Sequence, residues 1–245
     1  EEDSRNMDYN SWMIKSTIDD KIYYCIDPAI PLEGALEGSH NYIVGKENII
    51  ASSKITKAKY DKIEALAFYG YSYKDDNIDH TDKKWYGITQ VMIWRVMRPD
   101  LNWTFKETRN SKPNKTLYSK EVKELENLAN NFKTVSSFSD NNYKVLLEKE
   151  IKIEDTNKVL PNFFIVNNLN KIKLQKEGNI LKIKGKKQGV QTIHFSRKIH
   201  TSSRYALLKS NNFQDLIVMG NGDLPFFNFK ITVTGGTLNL IKNDN

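Results

Sequence analysis

The chain of 245 residues has one cysteine, Cys25, and that scarcity excludes a good deal. A lone cysteine makes no internal disulfide and no thiolate zinc cluster. Its remaining roles are a small buried hydrophobe, a free reactive thiol, or a covalent bond to something other than sulfur. Histidine is nearly as rare. His40, His80, His194 and His200 are spaced so that no pair shares one helical turn, and no metal site is expected. No GxSxG elbow, phosphate-binding loop or HExxH helix is present. Runs of about 18 apolar residues are missing too, so no membrane insertion is expected. No signal peptide or lipidation motif is visible, and the opening EEDSRN reads as a frayed start.

Arginine is scarce as well, although the net charge is +7. The basic residues are mostly Lys, interleaved with Asp and Glu rather than gathered in a stripe, and Arg is the side chain suited to bidentate phosphate contacts. No nucleic-acid partner is expected. What the chain has in quantity is aromatic: 12 Tyr, 11 Phe and 4 Trp, enough to build a core and to exclude disorder.

The first part of the chain reads as mixed and helical. KIYYCI (21–26) has strand composition, with Ile22, Tyr24 and Ile26 on one face and Tyr23 and Cys25 on the other. Asp27-Pro28 ends it, and a loop follows through Pro31, Gly34, Gly38 and Gly45. A helix is predicted over 57–69, with Tyr60, Ile63, Leu66 and Ala67 on one face and Gly70 as its stop. A polar loop with Thr81 or Asp82 as cap leads to a second helix over 85–98, closed by Pro99. A third, over 119–132, carries the stripe Val122, Leu125, Leu128, Ala129 and Phe132.

After about residue 150 the period changes to two. FFIV, KIKLQ, NILKIKGK, VQTIHFSR, YALLK, DLIVM, FFNFKITV and TLNLIK follow one another as strands, alternating at Leu181 and Ile183 and at Phe229, Ile231 and Val233. Gly178-Asn179, Gly220-Asn221-Gly222 and Gly235-Gly236 mark turns. The expectation is an α+β fold forming one integrated domain over 1–245. A helical lobe over about 12–150 would pack with an antiparallel β-sandwich lobe over about 151–242.

Within the second predicted helix, WYGITQVMIWRVMR (85–98) is apolar at nearly every position to Met97, yet Gln90 sits in its middle. A buried carboxamide without partners costs about 1–3 kcal/mol, so Gln90 must be hydrogen-bonded or chemically consumed. YCID (24–27), YGY (69–71) and TQVMIW (89–94) now stand in an order and spacing that resemble the thioester domains of Gram-positive bacterial surface adhesins. The resemblance covers about 12–240 and departs at Met92, where a small residue is expected.

The resemblance implies an internal thioester between the Cys25 sulfur and the side-chain carbonyl carbon of Gln90, formed with loss of ammonia and without a cofactor. Proximity and orientation inside a fold can lower such a barrier by about 7–11 kcal/mol. Tyr23, Tyr24, Trp85, Tyr86 and Trp94 would shield the bond from water. The implied function is adhesion. A Lys amine of a host surface or matrix protein would attack the carbonyl of residue 90 and become covalently bound, in a single-use reaction rather than enzymatic turnover. A Tyr hydroxyl, His40 or His80 is a candidate proton shuttle. The implied setting is host–pathogen interaction and virulence. The domain would be secreted to the bacterial cell surface, monomeric, followed by other domains and anchored to the cell wall through regions outside this chain. The crosslink would also close one loop, which by analogy with a disulfide is worth at most about 4 kcal/mol. Two other functions fit the residues: a noncovalent protein- or carbohydrate-binding β-rich module with a structural Cys25, and a Cys-dependent acyltransferase.

Overall fold

The computed structural model describes residues 13–15, 21–28, 30, 41–53, 55–75, 78–107, 111–197, 206–209, 214–218 and 224–235. Pro31, Gly34, Gly38, the Gly220-Asn221-Gly222 turn, Gly236, the TLNLIK segment, His40 and His200 lie outside them.

The elements in chain order begin with β1 (Ile14–Lys15), β2 (Ile22–Cys25), β3 (Asn41–Val44), α1 (Lys46–Ser52), α2 (Lys57–Tyr69), α3 (Lys84–Met97) and α4 (Ser119–Asn130). There follow β4 (Asn142–Leu146), β5 (Glu150–Glu154), a 3-10 turn at Leu160–Asn162, β6 (Phe163–Ile165), β7 (Ile172–Glu177) and β8 (Ile180–Gly185). Last come β9 (Gly189–Arg197), β10 (Ala206–Lys209), β11 (Leu216–Val218) and β12 (Phe226–Thr234). The fold is α+β, as the sequence leads one to expect. Among the described residues no helix is long and apolar enough to cross a membrane.

Two compact units form: Glu1–Phe132 with Ile199–Gly222, and Lys133–Lys198 with Asp223–Asn245. This corrects the expected lobes. The break falls at 132/133 rather than about 150, and YALLK and DLIVM, read as sandwich strands, return to the first unit as β10 and β11. That unit is therefore not merely helical. It holds a five-stranded sheet in the order β1-β2-β11-β10-β3, antiparallel at every pair, with Cys25 opposite Leu216 and Tyr24 opposite Ile217.

The helices of this unit start and stop for local reasons. Thr56 caps α2, accepting from the Lys59 amide at 3.3 Å. At the start of α3 the cap role falls to Asp82, whose carboxylate accepts from the Lys84 amide at 2.8 Å; Thr81 instead bonds back to Asp79. Pro99 follows α3, where a proline could not donate to the ladder. The stripes match expectation in part: Tyr60, Ile63 and Leu66 are buried on α2 and Leu125 and Ala129 on α4, with Phe132 buried just beyond it, whereas Ala67, Val122 and Leu128 are half-buried. Ala65, Phe68 and Tyr69 are buried too, because α2 packs against both α3 and α4.

The second unit is a β-sandwich of a four-stranded sheet, β4-β12-β9-β6, and a three-stranded sheet, β5-β8-β7. Alternation along β12 buries Phe227, Phe229, Ile231 and Val233, and along β8 Leu181 and Ile183, in one core with Phe163, Ile193 and Phe195. One departure from an antiparallel sandwich stands out: β4 runs parallel to β12. The β7–β8 turn lies at Gly178-Asn179 as expected, Gly178 at φ +56°.

Candidate functional site

Cys25 ends β2 and Gln90 sits at the middle of α3, which packs on β2. They lie 65 positions apart and exchange two hydrogen bonds. The Cys25 amide donates to Gln90 Oε1 at 2.8 Å, and Gln90 Nε2 donates to the Cys25 carbonyl at 2.7 Å. Gln90 is 1% exposed and Cys25 5%. The mid-helix carboxamide that the sequence marks as anomalous is thus anchored at the backbone of the one cysteine.

The surroundings are apolar. Cys25 shares a buried cluster with Ile14, Tyr23, Val91, Trp94, Ala206, Leu216 and Val218. Burial pushes its thiol up to about 12, so the neutral form holds at ordinary pH. A buried thiolate would also be a reluctant leaving group, so this setting disfavours premature loss of anything acylated there.

Of the expected shielding residues, Tyr23 and Trp94 are in the Cys25 cluster. Tyr24 stacks on Tyr86, centroids 5.2 Å apart. The Tyr86 hydroxyl donates to the Tyr23 carbonyl at 2.8 Å and accepts from the Ile14 amide at 3.3 Å, so it ties the short β1 to β2. Burial raises the Tyr86 hydroxyl pKa, a hydrogen bond from Ile14 opposes this, and nearby Cys25 adds to the rise. For Tyr24, burial and Tyr86 raise the pKa, while hydrogen bonds with the Thr89 side chain and Tyr71 backbone act the other way. Trp85 lies elsewhere: its ring stacks on His80 with centroids 3.4 Å apart.

His80, considered above as a proton shuttle, is 1% exposed and engaged at both ring nitrogens, with the Tyr69 carbonyl and, at 3.4 Å, with Glu124. It braces the YGY turn. His194 lies on β9 of the other unit, 3.2 Å from Asn228 Oδ1.

The sequence blocks around the pair hold further supporting residues. A Cβ on Gly70 would meet Thr89 Oγ1 at 2.3 Å and Leu66 O at 2.8 Å, so the glycine of YGY lets the turn press on the residue preceding Gln90. Thr89 donates to Trp85 O at 2.6 Å. Met92, where a small residue is expected, is accommodated in the interior at 5% exposure. Among the described residues no group of three His, Cys, Asp or Glu side chains is placed to hold a metal ion.

The chemistry open to this arrangement is acyl transfer. The Gln90 carboxamide is held on the backbone of Cys25, and the Cys25 amide already donates to the oxygen that would gain charge if the carbonyl carbon were attacked.

A family model described as thioester domain matches residues 22–133, a span that holds Cys25, the YGY turn and Gln90. No curated protein matches the sequence. Among solved structures, the thioester domain of the Staphylococcus aureus TIE protein is similar in fold, with a TM-score of 0.59 at 17% identity, over 89% of this chain and 84% of that one. The matched span holds the Cys25–Gln90 pair, so over residues 22–133 this chain is similar to the thioester-domain family in sequence.

Proposed function

We propose that Cys25 and Gln90 form an internal thioester that captures an amine on a partner protein. In its formation the Cys25 Sγ–Cδ bond of residue 90 is made, the Cδ–Nε2 bond is broken, and the thiol proton leaves with the nitrogen as ammonia. In capture, an amine nitrogen attacks the same carbon, the C–S bond breaks, and the sulfur takes up a proton. The product is an amide joining residue 90 to the partner, with Cys25 a free thiol. One bond forms per molecule, so the protein acts as a covalent binder and not as a turnover enzyme. No cofactor takes part. The single observation that carries this reading is the pair of hydrogen bonds between Gln90 and the Cys25 backbone.

The partner this chemistry favours is a Lys side chain on a host surface or matrix protein, with this chain acting as an adhesin on the bacterial cell surface. The similar staphylococcal domain supports the setting by fold.

The test is the intact mass of fresh protein, before and after methylamine. A deficit of about 17 Da, one ammonia, is expected, followed by methylamine addition and a thiol that becomes alkylatable in urea. Cys25→Ala and Gln90→Ala are each expected to abolish the deficit and all covalent capture. Full mass with Cys25 freely alkylated would leave a reversible β-rich binding module, and turnover of an acyl donor would favour the acyltransferase.

A further inference from the structure

We infer that Trp103, with Phe105 and Leu208, forms the mouth through which the amine reaches the Cys25–Gln90 bond, and that the Trp103 indole binds the amine's aliphatic stem. This rests on the capture reading above. The members of the Cys25 cluster are at most 9% exposed, whereas the residues packed around it, Trp103, Phe105 and Leu208, are only partly buried. Among the described residues, these three are the partly buried hydrophobic side chains that pack against the cluster.

Trp103 is also moored to the helix that carries Gln90. Its indole N–H donates to the Arg98 carbonyl at 3.2 Å, and its own carbonyl accepts from Arg95 Nη2 at 3.1 Å. Its ring stacks on Trp94, centroids 5.3 Å apart and planes 30° from parallel. Trp94 stands four residues after Gln90, on the same helical face. A half-buried indole stacked on Trp94 suits a run of methylenes better than a polar group. The Arg95 guanidinium, 5.8 Å over the Phe105 ring, adds a positive charge to this rim and disfavours seating the ammonium itself. The ligand class is therefore a primary amine on an unbranched alkyl stem, arriving as the neutral nucleophile.

The experiment compares methylamine with n-butylamine, matched in basicity but not in stem, on protein whose ammonia deficit has been verified by mass. Wild type is expected to react faster with butylamine. Trp103→Ala is expected to erase that preference and to speed hydrolysis about threefold to tenfold, the factor one aromatic stack represents. Trp103→Phe, which keeps a ring and the fold, is expected to lower the preference without erasing it. A butylamine-to-methylamine ratio unchanged in both variants overturns the inference, since a purely structural role would move both rates and the melting temperature together. A wild type without the deficit overturns the capture reading itself, and a loaded wild type with no stem preference overturns this inference alone.

Discussion

Gly70 and Thr89 are in such close approach that a single added carbon has no room: a Cβ on Gly70 would lie 2.3 Å from Thr89 Oγ1 and 2.6 Å from its methyl. The end of α2 thereby locks against α3 one residue before Gln90. Thr89, fully buried, also donates back to Trp85 and so cannot swing away freely. Gly70→Ala is expected to destabilise the protein by about 1–3 kcal/mol through overpacking. It should also lower the fraction carrying the ammonia deficit. Urea unfolding and intact mass check the two effects separately, and a full-strength variant at the wild-type midpoint would mean the turn yields without cost.

Gln90→Ala removes both partners that the unreacted carboxamide gives the Cys25 backbone. Leaving a buried N–H and C=O unsatisfied costs about 1–3 kcal/mol for each group. Because burial raises the Cys25 thiol to about 12, iodoacetamide should alkylate it slowly in the folded variant and rapidly in urea. Rapid alkylation of the folded variant near neutral pH would mean the pocket opens far more readily than its burial implies.

Tyr86→Phe keeps the stack on Tyr24 but removes the hydroxyl between Tyr23 and Ile14. A loss of about 1–2 kcal/mol is expected for this buried bridge. Hydrogen exchange localises it: the Ile14 amide should lose protection well before those of β9 and β12. Unchanged protection at Ile14 would mean that strand pairing alone holds β1.

In the sandwich unit, fully buried Asp155 accepts amide protons from Ser137 at 2.9 Å, Asn157 at 3.1 Å, and Val159 and Leu160 at 2.8 Å each. Burial raises its pKa, but these donors outweigh burial and hold it below the usual carboxylate value. A folded pKa below the unfolded one gives stability that is present above the unfolded pKa, about 3.9, and lost as pH falls through the folded value. Asp155→Asn should therefore be less stable at neutral pH by about 1–3 kcal/mol and flatter between pH 5 and about 2. Denaturation midpoints across that range provide the measurement, and parallel curves for the two proteins would sink the assignment.

Legibility varied with how local each cause was. α2, α3 and α4 were readable because stripes such as Tyr60, Ile63 and Leu66, and stops such as Gly70 and Pro99, act within a few residues. The short β1, β3, β4, β5 and α1 are not legible in the sequence, since two to seven residues carry too little pattern to separate from loop. β10 and β11 read as strands of the sandwich, yet they pair in the sheet that holds Cys25. Their apolar runs resemble those of the sandwich, and strand composition does not name its partner. Thr81 and Asp82 were equally suitable caps on residue type, and Asp79 decided between them by engaging Thr81.

The sequence by itself determined that this chain has one thiol, one conspicuous carboxamide in an apolar helix, and three short blocks in the order of thioester domains. These are properties of residue type and spacing, and they survive without coordinates. Tertiary structure alone decided that Cys25 and Gln90 meet across 65 positions, that Leu216 flanks Cys25 from nearly two hundred residues away, and that Trp85 turns to His80 while Trp103 stacks toward the site. The reason is physical: pairing partners and ring contacts are selected by shape and burial among distant segments, and no window of the chain contains both sides of the choice.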